Sequence, residues 1–347
     1  MMRIKRSARK FQQFLVDAWR RLRLSFDVQY VSGLISIHTQ PNDVVVACLV
    51  KNGRAYVDEF VKHYKNLGAR HIFVLDNGST DGTVERFSAH ECVSVWKTGM
   101  PFKTYKNIMR DLLANRFGGK CWVLYVDIDE LFRFPGDDRI NLPQLVSYLS
   151  DNGHDAIVAH MIDMFPDGPL QEAGHLDWKS SHCWFDVESL EPQDYAAWYG
   201  PGNIVSNEKI PYYLGGSRAK AFGARQWLSK HPLFNAGKGI RISHAHHVFG
   251  ASIADISAIL LHYKYVGDFQ EYFKMVVSEG SFWNGSSYYR QYLAALDDNP
   301  NMSLMTPTAR KFESLDSLSD AGMICLSEKY SRFLADKEPR VEGQEIQ

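Results

Sequence analysis

Four short apolar runs alternate with helical patterns in the first 135 residues of the chain. The clearest run is VVVACLV at 44–50, which is rich in β-branched residues and contains no charged residue. A strand that is apolar at every position, rather than at every second one, is typical of a parallel sheet covered on both faces. Further strands are predicted at 71–75, 93–96 and 121–126.

The segments between these strands have helical periodicity. Apolar residues recur every three or four positions across 55–67, and Gly68 is a suitable C-cap. A short helix is predicted at 83–87 and a longer one at 104–119, with Thr104 as its N-cap. This alternation predicts an α/β fold with a doubly wound, mostly parallel sheet, right-handed crossovers and flanking helices.

Beyond residue 135 the pattern is less regular. AIVAHMI at 156–162 predicts one more strand of the sheet. ISAILLHYKYV at 256–266, FQEYFKMVV at 269–277 and SSYYRQYLAAL at 286–296 are interpreted as helices. The C-terminal portion is therefore expected to be helical.

Charge and cysteine content exclude several classes of protein. The chain has 39 Lys and Arg against 40 Asp and Glu, so no net positive field favours nucleic acid as a partner. The five cysteines are odd in number, widely spaced and form no CxxC pair. This pattern argues against both a disulfide framework and a cysteine zinc site, and it predicts a reducing, cytoplasmic compartment.

The first 23 residues are strongly basic and have apolar residues at helical spacing. No apolar run there reaches the roughly 7 residues of a signal-peptide core or the roughly 18 of a membrane span. Such a helix can lie on an anionic membrane at its inner face, or it can dock on its own domain with its basic face in solvent. The basic residues are Arg3, Lys5, Arg6, Arg9, Lys10, Arg20, Arg21 and Arg23.

The fourth predicted strand leads directly into acids in VLYVDIDELFRFP at 123–135. Asp127 and Asp129 follow its last apolar residue, as Asn52 and Asp76 follow those of two other strands. Ligands of open α/β sheets bind beyond the carboxyl ends of the strands. These four side chains are therefore predicted to converge on one edge of the sheet.

Two carboxylates one residue apart can bind Mg²⁺ or Mn²⁺, whose other positions are commonly filled by water and substrate phosphates. Such an ion can act as a Lewis acid on a departing diphosphate. The alternative for Asp127 and Asp129 is an ordinary surface turn. Asp76, which precedes the loop NGSTDGT, can accept a hydrogen bond from a nucleobase or ribose, but the loop can also be a plain turn.

Two stretches together resemble the nucleotide-sugar glycosyltransferases of the GT-A type. They are VVVACLVKNGRAYVDEFVKHYKNLGARHIFVLDNGSTDGT at 44–83 and WVLYVDIDELFRFP at 122–135. The resemblance is strongest to family 2 relatives with a DxDEF strand end and a D-N-x-S-x-D loop. It extends more loosely through 162–170, 215–223, 230–234 and 260–266. Leu131 departs from the Phe that is common after DxDE, but Phe132 keeps an apolar anchor.

The resemblance implies a role for each strand-end residue. Asp127 and Asp129 would form the metal-diphosphate motif, and a histidine of the C-terminal half would be a further metal ligand. His262 is the first candidate for that histidine, ahead of His244 and His246. The donor nucleotide would be bound by Lys51, Asn52, Asp76 and Asp127.

The implied activity is metal-dependent transfer of a sugar from a nucleoside-diphosphate sugar to a hydroxyl of a glycan or lipid-linked acceptor. Inversion, which needs a carboxylate general base, is favoured, and a retaining route, which needs none, is the alternative. The glycine-flanked Arg218 could clamp the diphosphate, although a surface charge is the alternative. Asp163, at the end of the strand predicted at 156–162, is the candidate general base. Alternatives for that base are Asp167, Asp186 and Glu188.

Two rival functions remain open at this point: a phosphohydrolase that uses DxD, and a relative that binds glycan or nucleotide without turnover. The predicted organisation has a basic amphipathic segment at 1–40, one domain at 41–335 and a flexible tail at 336–347. Within that domain, 43–135 would bind the nucleotide and 136–335 the acceptor.

Overall fold

The computed structural model describes residues 2–118, 120–199, 202–244 and 246–340. Side chains are described for these residues except 2–14, 117–118, 198–199, 241 and 243–244. The strands are β1 (Gln29–Ser32), β2 (Val44–Val50), β3 (His71–Asp76), β4 (Val93–Lys97), β5 (Trp122–Tyr125), β6 (Glu130–Arg133), β7 (Ala156–Asp163), β8 (Trp184–Phe185), β9 (Leu190–Gln193), β10 (Ile204–Val205), β11 (Tyr212–Gly215), β12 (Gln226–Trp227), β13 (Ser229–Asn235), β14 (Arg241–His244), β15 (His247–Phe249), β16 (Ser252–His262) and β17 (Arg310–Lys311).

The helices are α1 (Met2–Asp27), α2 (Val57–Asn66), α3 (Thr83–Ser88), α4 (Phe102–Gly118), α5 (Leu142–Asp151), α6 (Leu170–Ala173), α7 (Trp178–Ser181), α8 (Tyr195–Tyr199), α9 (Ser217–Phe222), α10 (Phe269–Glu279), α11 (Ser287–Asp298), α12 (Leu315–Ser319) and α13 (Glu328–Ala335). Short 3₁₀ turns lie at Arg54–Tyr56, Ala236–Lys238 and Trp283–Gly285.

The central sheet has the strand order β1-β4-β3-β2-β5-β13-β7-β16-β10, and β6 pairs with β16. Strands β4, β3, β2 and β5 are parallel to one another, and β7, β16 and β10 are parallel to each other. Strand β13 runs antiparallel between β5 and β7, which gives these two groups the same direction. The prediction of an α/β fold with a mostly parallel sheet flanked by helices is confirmed.

The position of β2 between two layers of helices explains why its sequence is apolar throughout. Val44, Val46 and Cys48 belong to one buried cluster with side chains of α2 and α5, whereas Val45 and Ala47 belong to a second cluster with side chains of α4. Successive side chains of a strand point to opposite faces of its sheet. Because helices cover both faces, every position of β2 is removed from water.

The four predicted strands of the first 135 residues are all present, with ends shifted by at most one residue. Helix α4 begins at Phe102, so the prediction of Thr104 as its N-cap is wrong. The reason is Pro101, whose carbonyl already accepts from the backbone N–H of Thr104 and of Tyr105. Thr104 therefore lies inside the first turn.

The prediction of a helix at 256–266 is wrong, since 252–262 form strand β16. A long apolar run satisfies helical spacing as well as strand spacing, so its pattern could not separate the two. Strand β16 is central, with β7 on one side and β6 and β10 on the other. The predictions of a strand at 156–162 and of helices at 269–277 and 286–296 are confirmed.

Helix α1 docks on the domain through the face that carries Leu24. Leu24 is buried in the same cluster as α4, and Arg21 forms an ion pair with Asp111 of that helix. Asp27 accepts hydrogen bonds from the Thr98 hydroxyl at 2.5 Å and the Gly99 N–H at 2.9 Å. These contacts favour the docking interpretation for the C-terminal half of α1. None of the described helices combines the length and apolar character needed to cross a membrane.

Candidate active site

The candidate site lies at the carboxyl edge of the central sheet. Asp76 ends β3, Asp163 ends β7 and His262 ends β16. His262 is directly opposite Asp163 on one neighbouring strand and opposite Glu130, the first residue of β6, on the other. Residues paired in this way project from the same face of a sheet, so the register of three strands brings their side chains together.

Asp76 is held as a hydrogen-bond acceptor at the start of its loop. Its Oδ2 atom accepts from the backbone N–H of Gly78 at 2.9 Å and of Ser79 at 3.0 Å. Its Oδ1 atom is buried and has no hydrogen-bond partner. A buried carboxylate oxygen without a donor is costly unless a ligand supplies one. The Asp76 side chain is therefore suited to a donor group of a bound molecule.

Asn52 connects the end of β2 to the loop that follows Asp76. Its Oδ1 atom accepts from the Thr80 N–H at 2.8 Å, and its own N–H donates to Ser79 Oγ at 2.8 Å. Lys51 turns the other way and pairs with Glu279 of α10 at 2.5 Å. Both predicted residues thus lie at the expected edge, with Asn52 shaping the loop and Lys51 tying the sheet to α10.

Asp127 and Glu130 share one buried cation, Lys230 of β13. The Lys230 ammonium donates to Asp127 Oδ2 at 2.9 Å and to Glu130 Oε1. Glu130 Oε2 also accepts from the backbone N–H of Asp127 at 3.1 Å. Glu130 is buried, which fits a role in fixing the turn rather than in binding a ligand.

Asp129 faces two basic side chains, His262 at the end of β16 and Lys264 just after it. Its Oδ2 atom is 3.3 Å from His262 Nε2 and 3.6 Å from Lys264 Nζ. Burial opposes ionisation, but His262 and Lys264 outweigh it and hold the pKa of Asp129 well below its usual range. Asp129 is therefore a carboxylate at neutral pH.

Asp163 orients His262 from the side opposite to Asp129. His262 Nδ1 donates to Asp163 Oδ1 at 2.6 Å, while Asp163 Oδ2 accepts from Arg218 Nε at 2.8 Å. Burial raises the pKa of Asp163, but Arg218 and His262 outweigh that effect and lower it to about 2. With both oxygens bonded and so low a pKa, Asp163 is better suited to positioning His262 than to accepting a proton.

Arg218 is buried and bonds to Asp163 and Gln226, so its contacts differ from those of an exposed diphosphate clamp. Its predicted role in donor binding stays a prediction, as does the assignment of Asp163 as base. Among the alternative bases, Asp186 is buried beside a cavity of about 230 Å³ and accepts from the hydroxyls of Thr306 and Thr308. Asp167 and Glu188 are exposed.

The arrangement of Asp129 and His262 fits a divalent metal ion that also binds a substrate. The orienting bond from Asp163 leaves His262 Nε2 directed at Asp129, which is a common way of preparing a histidine ligand. The 3.3 Å between Nε2 and Oδ2 can accommodate one ion at ligand distances of about 2.0–2.2 Å. No three His, Cys, Asp or Glu side chains within the described residues could hold a metal by themselves. Further ligands would have to come from substrate and water.

The other candidate histidines have different surroundings. The side chain of His244 lies outside the described residues. His246 bonds through Nδ1 to the Ser229 carbonyl at 3.1 Å, away from the strand-end acids. Their ranking behind His262 as metal ligands stays a prediction.

Sequence reasoning missed two residues of this site, Lys230 and Lys264. Lys230 stands in β13, a strand whose seven residues are all buried, and a charged residue inside a sheet indicates a buried partner. Lys264 is two residues after His262, and in extended chain that spacing puts both side chains on one face. The second signal was hidden because 256–266 had been interpreted as helical.

Three solved structures that resemble this chain are distant from it. No protein-family model and no curated protein matches the chain. A mannosyltransferase from Pyrobaculum calidifontis, solved with GDP-Man and Mn²⁺, is 20% identical over 45% of this chain and 45% of its own, with a TM-score of 0.28. Glucosyl-3-phosphoglycerate synthase from Mycobacterium tuberculosis, solved with Mn²⁺, UDP and glucosyl-3-phosphoglycerate, is 17% identical over 38% of this chain and 52% of its own, with a TM-score of 0.24.

A 4-diphosphocytidyl-2C-methyl-D-erythritol synthase is 12% identical over 57% of this chain and 78% of its own, with a TM-score of 0.26. The chain spans about half the length of the two glycosyltransferases that it matches. Matches of this kind are too distant to indicate an activity for this chain.

Proposed function

We propose that this chain is a metal-dependent glycosyltransferase that moves a sugar from a nucleoside-diphosphate sugar to an acceptor hydroxyl. The observation that carries the proposal is the meeting of Asp129 with His262, which Asp163 orients, at the same sheet edge as the unpartnered oxygen of Asp76. Binding of such a donor requires two features. One is a metal ion that binds the diphosphate, and the other is a hydrogen-bond acceptor for the nucleoside.

The donor nucleoside would be recognised at Asp76. Its free Oδ1 atom can accept from a nucleobase N–H or a ribose hydroxyl, which would satisfy the buried oxygen. Asn52 holds the adjacent loop in place, and Lys51 lies at the neighbouring strand end.

Mn²⁺ or Mg²⁺ would be held by Asp129 and His262, with Asp127 beside them, and would supply Lewis-acid stabilisation of the leaving diphosphate. Lys264 adds a fixed positive charge 3.6 Å from Asp129. A cation placed in advance near a developing negative charge stabilises it without reorganisation. Lys264 is therefore proposed to face the diphosphate as it departs.

A saccharide acceptor is supported by an exposed tryptophan that stacks on a half-buried tyrosine close to this edge. Trp283 is 64% exposed and stacks on Tyr288 with ring centroids 5.3 Å apart. The preceding Phe282 packs on Tyr289, whose hydroxyl accepts from Lys264 at 3.0 Å. Exposed aromatic faces can pack against the apolar faces of sugars. We place the acceptor, a glycan or lipid-linked sugar of polysaccharide or lipopolysaccharide synthesis, on the Trp283 side.

Transfer is proposed to proceed with inversion, in which a carboxylate removes the proton of the attacking hydroxyl. Because both oxygens of Asp163 are bonded and its pKa is lowered to about 2, Asp186, Asp167 and Glu188 are better candidates than Asp163 for that base. NMR of the anomeric proton of the product tests this part of the proposal, and retained configuration would contradict it.

Substitution of the metal-side acids tests the activity. Asp129→Asn is expected to lower kcat by at least about 100-fold, because an amide is a weaker ligand for a hard cation than a carboxylate. Asp127→Asn should also lower kcat, because it removes a negative charge beside the metal site and leaves Lys230 with one acid fewer. The measurement is Mn²⁺-dependent release of nucleoside diphosphate across a panel of nucleotide sugars. The matched control is Asp58→Asn, which removes a surface carboxylate paired with Arg86 and should leave kcat unchanged.

The same assay separates the rival functions. Hydrolysis of simple phosphoesters without release of nucleoside diphosphate from a nucleotide sugar would support a phosphohydrolase instead. Donor binding by calorimetry with neither transfer nor slow donor hydrolysis would indicate a relative without turnover. Full activity of Asp129→Asn would contradict the site assignment itself.

A further inference from the structure

Helix α1 carries a line of large apolar side chains that no part of the described domain covers. Leu15, Trp19, Leu22 and Phe26 are 51%, 55%, 56% and 82% exposed. Their spacing of four, three and four residues puts them along one side of an α-helix. A contiguous exposed apolar stripe of this kind marks an interaction surface.

The orientation of this stripe is fixed by the opposite side of the helix. Leu24 is buried in the domain core, and Arg21 and Asp27 bond to residues of or next to α4. At 100° per residue, Leu24 is nearly opposite the middle of the stripe formed by 15–26. The helix is therefore attached by one face and presents its apolar stripe away from the domain.

The charge of the helix indicates what the stripe meets. Residues 1–27 contain eight Lys and Arg against two acids, Asp17 and Asp27. The Arg23 guanidinium lies 4.8 Å from the Trp19 ring centroid, so a cation borders the stripe directly. The sequence repeats the same spacing upstream at Ile4, Ala8 and Phe11. An apolar stripe bordered by cations is complementary to an anionic lipid surface.

Other partners fit less well. A second copy packed along this stripe would bring two strongly basic helices together, and like charges repel. Nucleic acid would use the cations but would leave the apolar stripe in water. Since the described helices include none that could span a bilayer, the contact would be with its surface.

We propose that α1 is an interfacial anchor for an anionic membrane. Leu15, Trp19, Leu22 and Phe26 enter the boundary between headgroups and acyl chains, while Arg23, which borders the stripe, contacts the headgroups. Docking of Leu24 and the Arg21–Asp111 ion pair then hold the catalytic domain close to the surface. The inference does not depend on the proposed chemistry.

Vesicle co-sedimentation of the full chain tests it. Vesicles of phosphatidylcholine with 30% phosphatidylglycerol, a composition chosen here as about one anionic lipid in three, are compared with phosphatidylcholine alone. Binding to the anionic vesicles is expected to be at least about 10-fold tighter and to weaken at high salt. The double variant Trp19→Glu/Phe26→Glu should reduce it by at least about 100-fold, because two charges replace inserted aromatic rings.

The matched control is Ile204→Glu, which puts a charge at an exposed apolar position of β10, away from α1. It should bind vesicles like the original chain. Because Trp19 and Phe26 are exposed, the double variant should also keep its thermal midpoint and its turnover of donor with a soluble acceptor. That retained turnover separates failure of this inference from failure of the proposed function.

Several outcomes would overturn the inference. They are equal affinity for the two kinds of vesicle, unchanged binding of the double variant, and an equal loss in Ile204→Glu. A dimer by light scattering that the double variant converts to a monomer, without vesicle binding by the original chain, would assign the stripe to self-association instead. Salt-sensitive binding to duplex DNA in the absence of vesicle binding would assign it to nucleic acid.

Discussion

Lys230 stabilises the turn between β5 and β6, which carries Asp127, Asp129 and Glu130. Its ammonium is buried between the carboxylates of Asp127 and Glu130. Burial alone would lower the pKa of Lys230, but these two acids outweigh burial and raise it. The lysine is therefore charged, and it compensates two acids that would otherwise repel each other at one turn.

Removal of that charge should destabilise the fold. Lys230→Met keeps an unbranched side chain but leaves the buried Glu130 and the partly exposed Asp127 without their cation, so the free energy of unfolding should fall by about 3 kcal/mol. Urea denaturation measures the change. Lys238→Met is the control, because Lys238 is 51% exposed where it pairs with Asp155, and it should cost no more than about 1 kcal/mol. Equal losses would mean that Lys230 contributes as an ordinary surface pair.

Substitution of Trp283 should weaken binding of the acceptor and leave binding of the donor unchanged. Trp283→Ala is expected to raise the acceptor KM by about 5- to 30-fold, the equivalent of about 1–2 kcal/mol of stacking and burial, with little change in slow donor hydrolysis. Trp283→Phe should recover much of the affinity because it keeps an aromatic face. Trp227→Ala, at another partly exposed tryptophan, serves as control. An unchanged acceptor KM in Trp283→Ala would contradict the proposal that the acceptor binds beside Trp283.

Between elements, the loop from β3 to α3 is held by side chains that bond to backbone groups. Asp81 accepts from the Thr83 N–H at 3.0 Å and from the Arg54 N–H at 3.0 Å, and Asn52 accepts from Thr80. Asn52 itself has a φ of 54°, in the left-handed region. The loop that follows Asp76 is thus shaped before any ligand arrives, which lowers the entropy that binding must overcome.

Two substitutions separate the contributions of Asn52. Asn52→Ala loses the bond to Thr80 and also puts an alanine in the left-handed region, so the free energy of unfolding should fall by about 2–3 kcal/mol. Asn52→Gly loses only the side-chain bonds, which are those to the Thr80 N–H and to Met275 Sδ, and should cost about 1 kcal/mol. Urea denaturation compares them, and calorimetry with a nucleoside diphosphate should show weaker binding in both. Equal destabilisation would show that the backbone at residue 52 is unstrained.

Across the whole molecule, buried neutral histidines set the response to acid. His160 is buried against Ser229 Oγ at 3.0 Å, and burial lowers its pKa to about 3. Burial also lowers the pKa of His71 to about 4, with Arg70 adding to the effect. The unfolded chain binds protons at these positions near pH 6.5, whereas the native state does not.

The stability that these two neutral histidines contribute should therefore be fully present above about pH 6.5 and be lost as the pH falls toward 4. In that window each histidine changes the free energy of unfolding by up to about 1.4 kcal/mol per pH unit. The two together change it by up to about 3 kcal/mol per pH unit. Urea denaturation at a series of pH values measures the slope. His160→Gln should reduce it by about one proton, whereas substitution of the exposed His38 by Gln should not. A slope unchanged in His160→Gln would contradict a neutral His160 in the native state.

The sequence predicted the elements that depend on local pattern. The uninterrupted apolar run of β2, the helix that follows it and the acids Asp76, Asp127 and Asp129 at strand ends could all be read from neighbouring residues. Alternation of strand and helix limits the ways in which these elements can pack, so the common edge also followed.

The pairing of distant strands could not be predicted in the same way. Nothing local shows that β13 inserts antiparallel next to β5, which brings Lys230 to Asp127 across 103 residues of sequence. The same holds for β16, whose register with β7 puts His262 opposite Asp163. Register is determined by packing between residues far apart in the chain, whereas periodicity reports only which face each residue occupies. The sequence by itself therefore determined which edge of the sheet carries the acids Asp76, Asp127 and Asp129. Only the tertiary structure decided which lysines and which histidine contact them, because that depends on strand register between distant parts of the chain.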